Sequence, residues 1–178
     1  MARKWKTPQP AQVGQLAHRV IADLLSTTDD PCIDPTGTWR RVIAAVDHRM
    51  KLDGYRDRAA RQTITAAALI YLEQAPAPPW TFVGAEVTRP GVRFDVLWVH
   101  AGTGELMVDE IKTGQSGVVL PSTRAQAERY LRALREDGHA SARVRALSTR
   151  APSTSWTLTS NRSIGQLPAE PERAPPPS

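Results

Sequence analysis

Two apolar runs, Val92–Val99 and Glu105–Ile111, are separated only by His100 and the turn Ala101-Gly-Thr-Gly104. Runs this short, rich in Val, Leu, Ile and Phe and joined by a glycine-containing turn, read as the two strands of a hairpin. Side chains alternate faces along a strand, so a strand that is apolar at successive positions has two faces to bury. A sheet built on this hairpin needs helices on both sides, which makes the chain an α/β sandwich.

The flanking sequence supplies those helices. Val13, Leu16, Val20, Ile21, Leu24 and Leu25 form a helical stripe, and Trp39, Val42, Ile43, Val46 and Met50 form a second. A third helix is expected from Tyr55 to about Gln74, ended by Ala75-Pro-Ala-Pro-Pro79, because proline cannot continue a helix. Trp80–Val87 then reads as a strand preceding the hairpin. A fourth helix is expected from Pro121 to Gly138, with Ser122 capping its first turn, followed by strands at Ala142–Ser148 and Ser155–Thr159. Residues 1–10 are expected to be a flexible start, 11–160 one domain, and 161–178 a proline-rich disordered tail.

Within this frame, three charged side chains are out of place. Asp95 lies inside an apolar strand, and Glu110 and Lys112 continue the row of Leu106 and Val108 at the end of the next one. Residues two apart on a strand point the same way, and hairpin pairing brings Asp95 towards them. Asp95 fits either a strand aspartate paired with Arg93 or a ligand of a hard cation. Glu110 and Lys112 fit either a plain ion pair or a metal ligand beside a water-activating lysine. Gln126 and Tyr130 share a helical face four residues apart. His18 follows Gly14 by the same interval on the first helix.

Asp95 followed by Glu110-Ile-Lys112-Thr-Gly resembles the core of the PD-(D/E)XK nuclease superfamily. Gly14-x-x-x-His18 ahead of it, and Gln126-x-x-x-Tyr130 behind it, resemble motifs of the RecB-like branch in that branch's order. The resemblance, to RecB-type exonuclease domains and CRISPR-associated adaptation nucleases, implies a restriction-endonuclease-like sandwich with a central mixed sheet. It implies Asp95, Glu110, the Ile111 carbonyl and His18 as holders of Mg²⁺, with Mn²⁺ able to substitute. It further implies Lys112 beside the attacking water, Gln126 and Tyr130 on substrate phosphate, and Glu86 as an auxiliary acid. Some relatives carry a four-cysteine iron–sulfur cluster, which a chain with the single cysteine Cys32 cannot build.

A net charge of +5 suits an anionic partner, here DNA, with RNA left open. Arg124, Arg129 and Arg132, with Arg135, Arg143, Arg145 and Arg150 beyond, are candidates for backbone contacts, as are Arg3, Lys4 and Lys6 around Trp5. The single cysteine and the absence of an apolar run after the N-terminus point to the cytoplasm, without a membrane segment. The expectation is therefore a Mg²⁺-dependent deoxyribonuclease of DNA repair or recombination, alone, as a homo-oligomer or in a nucleoprotein complex. The alternative is a catalytically silent nucleic-acid-binding module of the same fold within a repair or defence assembly.

Overall fold

The computed structural model describes residues 5–27, 35–114, 117–160 and 162–166. It is an α/β structure with helices α1 (Pro10–Ser26), α2 (Pro35–Asp53), α3 (Arg58–Gln74) and α4 (Pro121–Glu136). Strands β1 (Trp80–Arg89), β2 (Val92–His100), β3 (Leu106–Lys112), β4 (Ala142–Ser148), β5 (Trp156–Thr159) and β6 (Arg162–Gln166) form one mixed sheet in chain order. All neighbours are antiparallel except β3 and β4, which run parallel through the α4 crossover. No described helix is long and apolar enough to cross a membrane.

Both faces of the sheet are covered, as the hairpin's apolar runs require. Leu16, Val20 and Ile21 of α1, Val42 and Val46 of α2, and Ile64 and Tyr71 of α3 pack on one face against Val96, Trp98, Met107 and Ile111. On the other face, Ala127, Tyr130, Leu131 and Leu134 of α4 meet Phe94, Leu97, Leu106, Val108 and Val144. Strand β3 thus serves two cores with alternate residues.

Several local expectations change. The third helix begins at Arg58, not Tyr55, because the Asp57 carboxylate accepts the Ala60 amide at 2.7 Å and sets the cap there. Ser122 does not cap α4: Leu120 occupies the cap position and Pro121 the first turn, where its missing N–H costs nothing. Strand β6 is not among the elements that the pattern predicts. Near the N-terminus, Lys6 forms a parallel bridge with Tyr55. Arg3, Lys4, Cys32 and residues 167–178 lie outside the described residues.

One polar group sits deep in the first core. Asp109, 0 % exposed, accepts two hydrogen bonds from Arg145 at 2.7 Å, one from the Tyr71 hydroxyl and one from Trp98 Nε1, both at 2.9 Å. Arg145 also donates to the Gln74 carbonyl at 2.9 Å, tying β4 to the end of α3. A buried carboxylate needs such a full set of donors, and removing its cation leaves an uncompensated charge. Arg145→Met is therefore expected to cost about 3–5 kcal/mol in urea unfolding. The pair Asp109→Asn with Arg145→Met should lose less, which a double-mutant cycle reads directly.

Candidate metal centre

The side-chain alternation of β1 is interrupted between Phe82 and Gly84, and that of both β1 and β2 breaks again nearer the cleft. Val96 packs on the α1–α3 face while Phe94, two residues away, packs on the α4 face; Ala85 and Val87 divide in the same manner. In the register of these strands, Ala85 faces Val96 and Val87 faces Phe94, so Glu86 and Asp95 lie opposite one another at the break. Glu86 holds φ at 54°, a left-handed conformation uncommon for a residue with a side chain. Pairing of β2 with β3 also stops here, at Val96 and Asp109. Beyond it, Asp95 Oδ2 accepts the Ile111 amide at 2.8 Å, so a carboxylate stands where the ladder would have continued.

Around this break the structure opens a cleft of about 550 Å³. His18, Asp95, Glu110, Ile111, Lys112, Gln126, Arg129 and Tyr130 all line it. His18 Nδ1 lies 3.4 Å from Asp95 Oδ1. Ligand atoms of His18, Glu86 and Asp95 lie within 4.8 Å of one another, the one such group of three among the described residues. Glu110, 3 % exposed, faces α4: Oε1 accepts from Lys112 Nζ at 2.5 Å and Oε2 lies 2.7 Å from the Tyr130 hydroxyl. Lys112 Nζ also donates to Gln126 Oε1 at 3.1 Å, and Gln126 Nε2 donates to the Tyr130 oxygen at 2.6 Å. Tyr130 is held edge-on against Phe94, ring centroids 5.0 Å apart.

Helix α1 reaches this cleft with Pro10, Ala11, Gly14, Gln15 and His18, one face of its first turns. Gly14 has a steric reason: a Cβ there would stand 2.9 Å from Thr113 Oγ1. The close approach brings the start of α1 onto the segment after β3.

The electrostatics are those of crowded acids. Burial pulls the His18 pKa down, but the hydrogen bond to Asp95 and the charges of Asp95, Glu110 and Glu86 outweigh it, and the net shift is upward. Glu110 is raised by burial and then by Asp95, against the pull of Lys112 and Tyr130. Tyr130 is raised chiefly by burial and next by the charge of Glu110, so its hydroxyl keeps its proton at neutral pH. Glu86 belongs to the group of three and is itself held by Arg93, while Glu110 is engaged by Lys112 and Tyr130. Only the positive φ marks it, and no sequence pattern exposes that.

The arginines divide. Asp95 is not paired with Arg93, which instead holds Glu86 at 2.9 Å. Arg145 is committed to Asp109, Arg143 to Glu105, and Arg135 to the Ser160 carbonyl. These three thus have partners within the protein. Arg124 pairs with Glu128 on the α4 surface, Arg132 is exposed, and Arg129 lines the cleft.

Compared with protein families, with curated proteins and with solved structures, the chain shows no significant match.

The raised pKa of Glu110 has a sign consequence. Folding then favours its protonated form, so its contribution is most favourable below the ordinary value of 4.5 and is lost as pH rises through the folded value. Glu110→Gln should accordingly raise the thermal midpoint in EDTA at pH 7. The gain should shrink towards zero below pH 4.5, where wild-type Glu110 is neutral as well. Thermal unfolding measured across pH checks both limbs.

Proposed function

We propose that this chain is a divalent-metal-dependent nuclease of the PD-(D/E)XK superfamily, RecB-like branch, hydrolysing phosphodiester bonds in DNA. The observation that carries the proposal is the convergence of His18, Asp95, Glu110, Lys112, Gln126 and Tyr130, scattered over more than a hundred positions, on one cleft. The order of elements from α1 to β4, with a meander β1–β2–β3 and a parallel β4, supports a restriction-endonuclease-like sandwich.

The donor set suits Mg²⁺ or Mn²⁺. Carboxylate oxygens of Asp95 and Glu86 are hard ligands, and the imidazole of His18 adds a donor that Mn²⁺ accepts readily. The charge of Asp95 raises the Glu110 pKa, a repulsion between neighbouring acids that a bound cation would relieve. Such an ion polarises a phosphoryl oxygen and supplies positive charge to the developing phosphorane.

The chain's own groups do the rest. Lys112, anchored between Glu110 and Gln126, points its ammonium into the cleft, where it orients the attacking water and offsets negative charge. Gln126 and Tyr130 hold the phosphate. Their mutual hydrogen bond and the contact of Tyr130 with Phe94 fix both side chains before substrate arrives. Loss of the proton from His18, above its ordinary 6.5, frees a nitrogen lone pair and makes the cleft more negative.

Linear, circular and single-stranded DNA incubated in Mg²⁺, Mn²⁺ or EDTA test this. Degradation should need the metal and rise with pH, and Lys112→Ala should slow it by about a hundred- to ten-thousandfold. Binding with no degradation in either metal would favour the catalytically silent module instead. Survival of the circular form would assign an exonuclease, and its loss an endonuclease.

A further inference from the structure

Three hollows succeed one another from α1 to the connection between α2 and α3. The metal cleft shares Gln15 with a hollow of about 260 Å³ lined by Gln12, Leu16, Arg19, Asp53 and Tyr55. That hollow shares Tyr55 with a third, of about 470 Å³, between α2 and the start of α3. Trp5, Met50 and Tyr55 give the third hollow an apolar wall, and Lys51, Arg56 and Arg58 ring it. Each hollow thus shares one lining residue with the next, and end to end they mark out a groove running from Asp95, past α1, to Trp5.

The far end of this groove is held in place. The Lys6 amide donates to the Gly54 carbonyl and the Arg56 amide to the Lys6 carbonyl, each at 3.0 Å, so the backbone beside Trp5 is pinned to the connection between α2 and α3. Trp5 keeps 39 % of its surface exposed. The acids nearby are engaged: Asp57 caps α3, Asp47 pairs with Arg61, and Asp53 pairs with Arg19. Among the described residues, Lys51, Arg56 and Arg58 make no ion pair. A part-exposed indole beside a pinned backbone, ringed by cations, has the chemistry of a polynucleotide subsite, in which a base stacks and the phosphates on either side are neutralised.

On the strength of the nuclease assignment above, we propose that the groove is a track for single-stranded DNA that delivers the strand to the cleft. Trp5 stacks on an unpaired base, and Lys51, Arg56 and Arg58 hold phosphates. A duplex has no base face to offer the indole, so the track discriminates by strandedness. A peptide is the poorer occupant, since the ring of cations calls for a regularly anionic chain.

The test measures binding of labelled oligothymidylate to the full chain in Ca²⁺, with a long strand and with one short enough to occupy only the cleft. Trp5→Ala is expected to weaken the long strand about tenfold and leave the short one unchanged, while Trp5→Phe restores most of the loss. Arg56→Ala with Arg58→Ala should reduce the salt slope of log K by about 1.4, two phosphate contacts at about 0.7 each on a single strand. Hydrolysis of bis(p-nitrophenyl) phosphate in Mn²⁺, which needs only the cleft, should be unaffected in all of these variants. Long-strand affinity unchanged by both sets of substitutions would overturn the track, as would equal losses on duplex and single strand. No binding of oligothymidylate by the unaltered chain would overturn it as well. Binding that depends on Trp5 without any diester hydrolysis keeps the track and removes the nuclease assignment, so the two fail separately.

Discussion

Everything in the cleft depends on the Asp95 carboxylate accepting the Ile111 amide across the gap between β2 and β3. A buried backbone N–H must find a partner, and when two strands part that partner has to come from elsewhere. Here a side chain supplies it. The same carboxylate fixes the separation of the strands, turns its second oxygen towards His18, and keeps β3 aligned so that Glu110 and Lys112 reach α4. One interaction therefore satisfies the backbone and orders the charged groups.

Adjacent acids on β3 meet opposite fates. Asp109 turns into the α1–α3 core and is neutralised by Arg145, Tyr71 and Trp98. Glu110 turns the other way, shares its charge with Lys112 and Tyr130, and remains beside Asp95. Pleating alone separates them. The first acid anchors β4 and α3 to the strand, and the second is left at the border of the cleft, where charge can be used.

Much of this was legible in the residues. The hairpin, the four helices and the cover on both faces follow from periodicity and from proline breaks, because those patterns report burial directly. That Gln126 and Tyr130 share one face follows from their i,i+4 spacing, and that this face meets Lys112 is what the resemblance implied. Other features lay beyond that kind of reading. Asp109 has the same strand setting as Asp95, and nothing local says that Arg145, far along the chain, neutralises one and not the other. The arginines of β4 looked free because their partners are long-range. Glu86 was visible only as an acid on a neighbouring strand, since its place beside His18 and Asp95 comes with a backbone twist that no composition encodes.

That twist leaves a mark which outlasts the chemistry. A glutamate in the left-handed region costs on the order of 1–2 kcal/mol over a residue at ease there. Glycine or asparagine would occupy position 86 more comfortably. Under the proposal that Glu86 holds a metal ion, a copy released from that task would gain stability by the exchange, and one that keeps the task would lose a ligand. Under that proposal, glycine or asparagine at this one position is the mark expected of a copy that no longer needs the ion.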